Sequence, residues 1–223
     1  MIKFLLFGIV LAYTAMWSQT NLFLSSLGQK KSPVATIQDD DLRQLIQNKT
    51  GTNIKSIKIA ESDKPFGMMV GIPTKPQLIL SRKLYDTFTP DEMEYVVLHE
   101  AGHYKLWHSV TELTAGIFLF VVGILILRKV MPIPLSLPTA LLLGVIFGIL
   151  LIRMGRLHEY QADSYSLKHM TNPQGMIAAT NKFREFYEDS YPKNKVVQFL
   201  FYRGNPYDNR IKMAQAEISA RKN

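Results

Sequence analysis

The 223-residue sequence predicts a mainly α-helical chain with a small β-sheet, an α+β arrangement, that crosses a membrane about three times. Three observations carry this. Three apolar runs, residues 4–17, 113–127 and 130–152, contain no charged side chain, the composition of membrane spans. Short alternating stretches at residues 53–62 and 66–81 read as strands. Most of what remains has helical start and stop signals.

Residues 1–24 hold the first apolar run, behind Met1 and Lys3. A signal peptide is the alternative, yet the best small-x-small cleavage site is Ala12-Tyr13-Thr14, with bulky Met16 and Trp17 after it. An uncleaved anchor is therefore expected. Residues 25–33, SSLGQKKSP, form a polar linker. The first part of a soluble domain then occupies residues 34–108. It opens with a helix that starts on Asp39, Asp40 and Asp41 and stops at Gly51. The strand NIKSIKIAES follows, and after it two short strands around a Pro73–Pro76 turn. The next helix has Thr89 as N-cap, Pro90 at its first position and Glu92 as capping-box partner.

Residues 109–152 are expected to form a transmembrane hairpin, its first arm lengthened by HSVTE. The second arm runs unbroken into a polar helix ending near Thr171, where Asn172-Pro173 starts another. A final amphipathic helix, PYDNRIKMAQAEISARK, closes the C-terminal part, residues 153–223.

Cysteine is absent, so any metal must be held by histidine and carboxylate. The net charge of +8 is scattered and lacks interleaved aromatics, which speaks against nucleic acid and for attraction to anionic lipid. Near the apolar runs, Lys30, Lys31, Lys105, Arg153, Arg156 and Lys168 fall on one side, while Lys3, Arg128 and Lys129 fall on the other. That bias places the soluble part in the cytoplasm.

The stretch VVLHEAGHYKLWH sets His99 and His103 four residues apart around Glu100. At that spacing both imidazoles share one helix face and can bind one ion. A hydrolytic zinc site needs a third protein ligand, and the candidates are His108, His158, Glu159, Asp163 and His169. His108 lies five residues past His103, a spacing that turns it off the shared face. Glu159 is the strongest candidate, because Asp163 one turn on can accept the free N–H of a ligating imidazole.

HEAGH, a hydrophobic hairpin and then EYQAD resemble the membrane-bound gluzincin metallopeptidases, which include the heat-shock protease HtpX and the type I CaaX prenyl endopeptidases. PQLILSRKLYDTFTPDEMEYVVLHEAGH is similar to the family's strand, short helix and active-site helix, so the resemblance covers roughly residues 66–215. It implies a zincin-like fold and one zinc per chain held by His99, His103 and Glu159. It further implies Glu100 as general base and acid and Asp163 as partner of a ligating histidine. With so few spans, an HtpX-like protease fits better than a prenyl endopeptidase.

One departure stands out. The family commonly has His-Pro before its last helix and an arginine soon after; here GNPYDNR supplies Asn205, Pro206 and Arg210. Asn205 and Arg210 are candidate oxyanion or substrate contacts, although an N-cap role for Asn205 is the preferred reading. Arg156 reads as a headgroup or surface charge. Gly67, Met68, Met69, Val70 and Gly71 form a candidate substrate-docking edge strand. The expected function is a membrane-anchored zinc endopeptidase cutting extended or misfolded, chiefly membrane, polypeptides, in the inner membrane if the cell is bacterial. The alternative is a zinc-binding, catalytically weak scaffold.

Overall fold

The computed structural model describes residues 3–11, 34–70, 76–129 and 133–222. The linker 25–33, the tip of the Pro73–Pro76 turn and Gly71 lie outside the described residues. Two compact units alternate along the chain.

The larger unit comprises Lys30–His108, His158–Tyr191 and Asn205–Asn223. Its sheet has four strands, β1 (Val34–Ile37), β2 (Ser56–Ala60), β3 (Gly67–Val70) and β4 (Gln77–Ser81), in the order β1-β2-β4-β3. The β2–β4 pair is parallel; β1–β2 and β3–β4 are antiparallel. Ile57 faces Leu78 and Ile59 faces Leu80 across the parallel pair, and all four are fully buried. One side of the sheet is thus continuously apolar, as a strand period of two requires. The sequence did not signal β1, a four-residue edge strand whose structure comes from pairing with β2.

Helix α2 (Asp40–Thr50) is capped by Asp39, which accepts from the Leu42 N–H, and ends at Gly51 with φ 65°. Ser81 accepts from the Leu84 N–H at the start of α3 (Arg82–Thr87). Glu92 accepts from the Thr89 N–H at 2.7 Å, so α4 (Pro90–Lys105) begins where its capping box predicts. Val96, Val97 and Leu98 of α4 join Leu42 and Ile46 of α2 and the sheet residues in one core. Helices α7 (Gln174–Tyr187) and α9 (Tyr207–Lys222) pack on α4 and α7 respectively.

The other unit comprises Met1–Gln29, Ser109–Leu157 and Pro192–Gly204. It contains α1, helical over residues 3–11, most of α5 (His108–Lys129), the first part of α6 (Ile133–His169) and α8 (Lys195–Phe201). Phe7 is fully buried, stacked on Phe120 and edge-on to Phe147. Helix α8, which carried no clear sequence signal, is fastened by Arg156: its guanidinium donates to the carbonyls of Gln198 and Tyr202 near the end of that helix.

Helix α5 does take in HSVTE, reaching 22 residues, or about 33 Å. Among the described residues, α5 and the stretch Leu137–His169 of α6 are long and apolar enough to cross a membrane. That is two spans where about three were expected. Residues 12–17 of the first run lie outside the described residues.

Candidate metal centre

Helices α4 and α6 build the centre. Gly102 allows their close approach: a Cβ there would stand 3.2 Å from the Ala162 Cα and 3.2 Å from the Tyr165 Cβ. With the backbones this near, Glu159 arrives beside the histidine pair. His99 Nε2 and His103 Nε2 are 3.1 Å apart, His99 Nε2 is 3.5 Å from Glu159 Oε2, and His103 Nε2 is 3.4 Å from Glu159 Oε1.

The two spacings to Glu159 suit one ion, and the 3.1 Å between the histidine nitrogens would have to open slightly. Tetrahedral zinc with N and O ligands at roughly 2.0–2.2 Å requires donors about 3.3–3.6 Å apart. Nitrogen and carboxylate donors with no thiolate also match zinc's preferences. The three side chains are the one metal-sized donor group among the described residues.

Asp163 lies beneath this triangle, fully buried. Its Oδ1 accepts from Tyr95 Oη and His99 Nδ1, each at 2.8 Å. Its Oδ2 accepts from Asn205 Nδ2 at 2.7 Å and from Arg210 Nε at 2.9 Å. Arg210 also reaches Glu159 Oε2 with Nη2, at 3.1 Å, and so ties together two carboxylates one turn apart on α6. Asn205 is 2% exposed, and its Oδ1 accepts from Asn209 Nδ2 at 2.6 Å. Both ends of the Asn205 amide are therefore engaged within this network.

Burial opposes the His99 imidazolium, but the Asp163 and Glu159 carboxylates more than offset it and push the group up to about 10. Metal binding through Nε2 has to displace that proton. Desolvation raises the Glu100 carboxyl above its ordinary range, against the lowering effect of His99 and His103 and a hydrogen bond from the Met69 backbone. Burial likewise pushes the Tyr95 phenol well up, which keeps it a hydrogen-bond donor.

The Met69 contact draws β3 to the site. Gly67 makes room, since a Cβ on it would lie 3.1 Å from Val96 Cγ1 and 3.5 Å from Glu100 Cγ. The register decides which β3 groups face outward. Ser81 N–H donates to the Phe66 carbonyl, so by alternation Met68 and Val70 point their backbone groups at β4 while Gly67 and Met69 point theirs away from it.

The structure thus gathers His99, Glu100, His103, Glu159, Asp163, Asn205 and Arg210, with β3 alongside. His169 is elsewhere, stacked on Tyr165. His108 departs from the spacing argument: its Nδ1 is 2.9 Å from His103 Nδ1. That argument assumed an unbroken helix, whereas α4 ends at Lys105 and Trp107 takes φ 58° before α5 begins. No glycine or proline marks this break in KLWH. Tyr95 was also missed, because it carries no motif, and so was Gln161, whose Oε1 is 3.1 Å from His108 Nε2 although it lies within EYQAD.

A structural comparison finds the crystal structure of S. mikatae Ste24p similar in fold, with a TM-score of 0.63 and 19% identity. The match covers 95% of this chain and 56% of that one, so this chain spans little more than half its length. No curated protein matches the sequence significantly. Peptidase family M48 matches residues 39–218, a stretch that includes every residue of the centre. The chain belongs to peptidase family M48.

Proposed function

We propose that this protein is a membrane-anchored, zinc-dependent endopeptidase that hydrolyses extended or misfolded polypeptides, membrane proteins among them. The observation that carries the reading is the His99, His103 and Glu159 triangle, with donor spacings of 3.1–3.5 Å, followed directly in sequence from His99 by Glu100. A bound zinc would polarise the scissile carbonyl and bring the pKa of its water to about 7.

Glu100 takes the proton of the attacking water and later passes it to the leaving amine. A raised carboxyl suits that double task, and the Met69 N–H fixes its orientation. Asp163 accepts from His99 Nδ1, which would leave the Nε2 lone pair to bind a metal. Asn205 and Arg210 act through Asp163 and Glu159, a geometry that favours support of the ligands over contact with an oxyanion. The substrate backbone lies along the outer edge of β3, extended, pairing with the outward groups of Gly67 and with the outward Met69 carbonyl.

Membrane embedding is supported by the exposed apolar faces of α5 and α6, where Leu113 is 65%, Phe118 66% and Leu142 60% exposed. Apolar surface of that extent on a soluble chain invites aggregation. Residues 4–17 supply the third span, and the active site faces the cytoplasm.

The test is hydrolysis of casein and of an unfolded membrane protein by the zinc-loaded protein, with and without chelator, beside Glu100→Gln. The variant is expected to retain zinc and lose at least about a hundredfold in rate. A zinc-replete wild type that cuts neither substrate, across detergents and lipids, supports the scaffold reading instead.

A further inference from the structure

His103 has a partner of its own. Ligation through Nε2 needs a lone pair on that nitrogen, so its Nδ1 must carry the hydrogen. The nearest acceptor is His108 Nδ1 at 2.9 Å. For His108 Nδ1 to accept, its Nε2 must in turn carry hydrogen, and Gln161 Oε1 stands 3.1 Å from that atom. The chain of donors and acceptors closes without conflict: His103 Nδ1–H to His108 Nδ1, then His108 Nε2–H to the Gln161 oxygen.

We infer that His108 is a positioning residue for the metal ligand His103, its own tautomer set by Gln161. This rests on the metallopeptidase reading and adds to it. His108 is 3% exposed, and its ring stacks on His158 at 4.2 Å with an interplanar angle of 5°, which fixes its plane. Trp107 supplies the turn. Its left-handed backbone, with Leu106 N–H on the Gly102 carbonyl and Trp107 N–H on the Tyr104 carbonyl, folds the chain back so that His108 lands on His103. A non-glycine residue holds such a conformation only where its surroundings enforce it, and such residues gather at functional sites. The two histidine ligands are therefore oriented differently, His99 by an anionic carboxylate and His103 by a neutral imidazole.

The experiment measures the zinc dissociation constant of the full-length protein in detergent by competition with a chelator of known affinity. His108→Leu is expected to weaken zinc 10- to 100-fold, the usual cost of losing such a partner. His108→Asn should stay within about threefold of wild type, since an amide oxygen can accept where Nδ1 does. Gln161→Leu leaves the ring in place but removes its tautomer-selecting acceptor, and is expected to weaken zinc severalfold; it serves as the test should His108→Leu not fold. Unchanged affinity in His108→Leu or Gln161→Leu, or equal losses in His108→Asn and His108→Leu, overturns the inference alone. A wild type that binds no zinc overturns the metallopeptidase reading as well.

Discussion

His99 Nδ1 lies 2.8 Å from Asp163 Oδ1, joining the histidine motif on α4 to the carboxylates on α6. The same Asp163 carboxylate accepts from Tyr95, Asn205 and Arg210, so a single buried anion orders side chains from α4, from α9 and from the residue that leads into α9.

Asp163→Leu should therefore do double damage. It takes from the Arg210 guanidinium, 12% exposed, one of its two neighbouring carboxylates, and breaking a buried pair this way costs about 3–5 kcal/mol. Asp163→Asn is not neutral either, because whichever way the amide turns, its NH₂ meets two donors. Denaturant unfolding and chelator competition should both show the loss, with Leu the more severe.

Metal stoichiometry tests the triangle itself. Elemental analysis of the wild type is expected to give one zinc per chain, falling well below that in His103→Ala and in Glu159→Ala alike. Full retention in Glu159→Ala would remove it from the ligand set.

The helix contact at Gly102 is expected to tolerate no bulk. Gly102→Val drives methyl groups toward the Ala162 backbone and Tyr165, at an overpacking cost of about 1–3 kcal/mol, and shifts Glu159 from the histidines. A fall in both thermal stability and zinc affinity is the expected result; normal zinc affinity would mean that α4 and α6 need not approach so closely.

Substrate docking on β3 predicts an asymmetry between adjacent residues. Met69→Pro removes an outward N–H that also donates to Glu100 and spares the β3–β4 ladder, so kcat/KM should fall with zinc content unchanged. Val70→Pro strikes an N–H facing β4 and should instead destabilise the sheet. Equal kcat/KM in Met69→Pro and wild type would exclude this edge.

Orientation is open to direct labelling, since the chain has no cysteine. A cysteine at Lys129 should react with an impermeant thiol reagent from outside the cell, and one at Lys212 should not. The reverse pattern would put the active site on the outer face.

What the sequence determined by itself was local. The Thr89-Pro90-Glu92 start of α4, the stop of α2 at Gly51, the four-residue spacing of His99 and His103 and the uncharged runs of α5 and α6 all rest on contacts within a turn or on composition, which a linear reading can follow. Tertiary structure decided the rest. The order β1-β2-β4-β3 and the presence of β1 depend on pairing between strands distant in sequence. Which β3 groups face outward follows from a register set by the Phe66–Ser81 hydrogen bond. The engagement of Asn205 with Asp163, where sequence suggested a helix cap, needed α9 packed in place. His108 is the sharpest case: helical periodicity turned it away from His103, and a left-handed turn at Trp107, announced by no glycine or proline, turned it back.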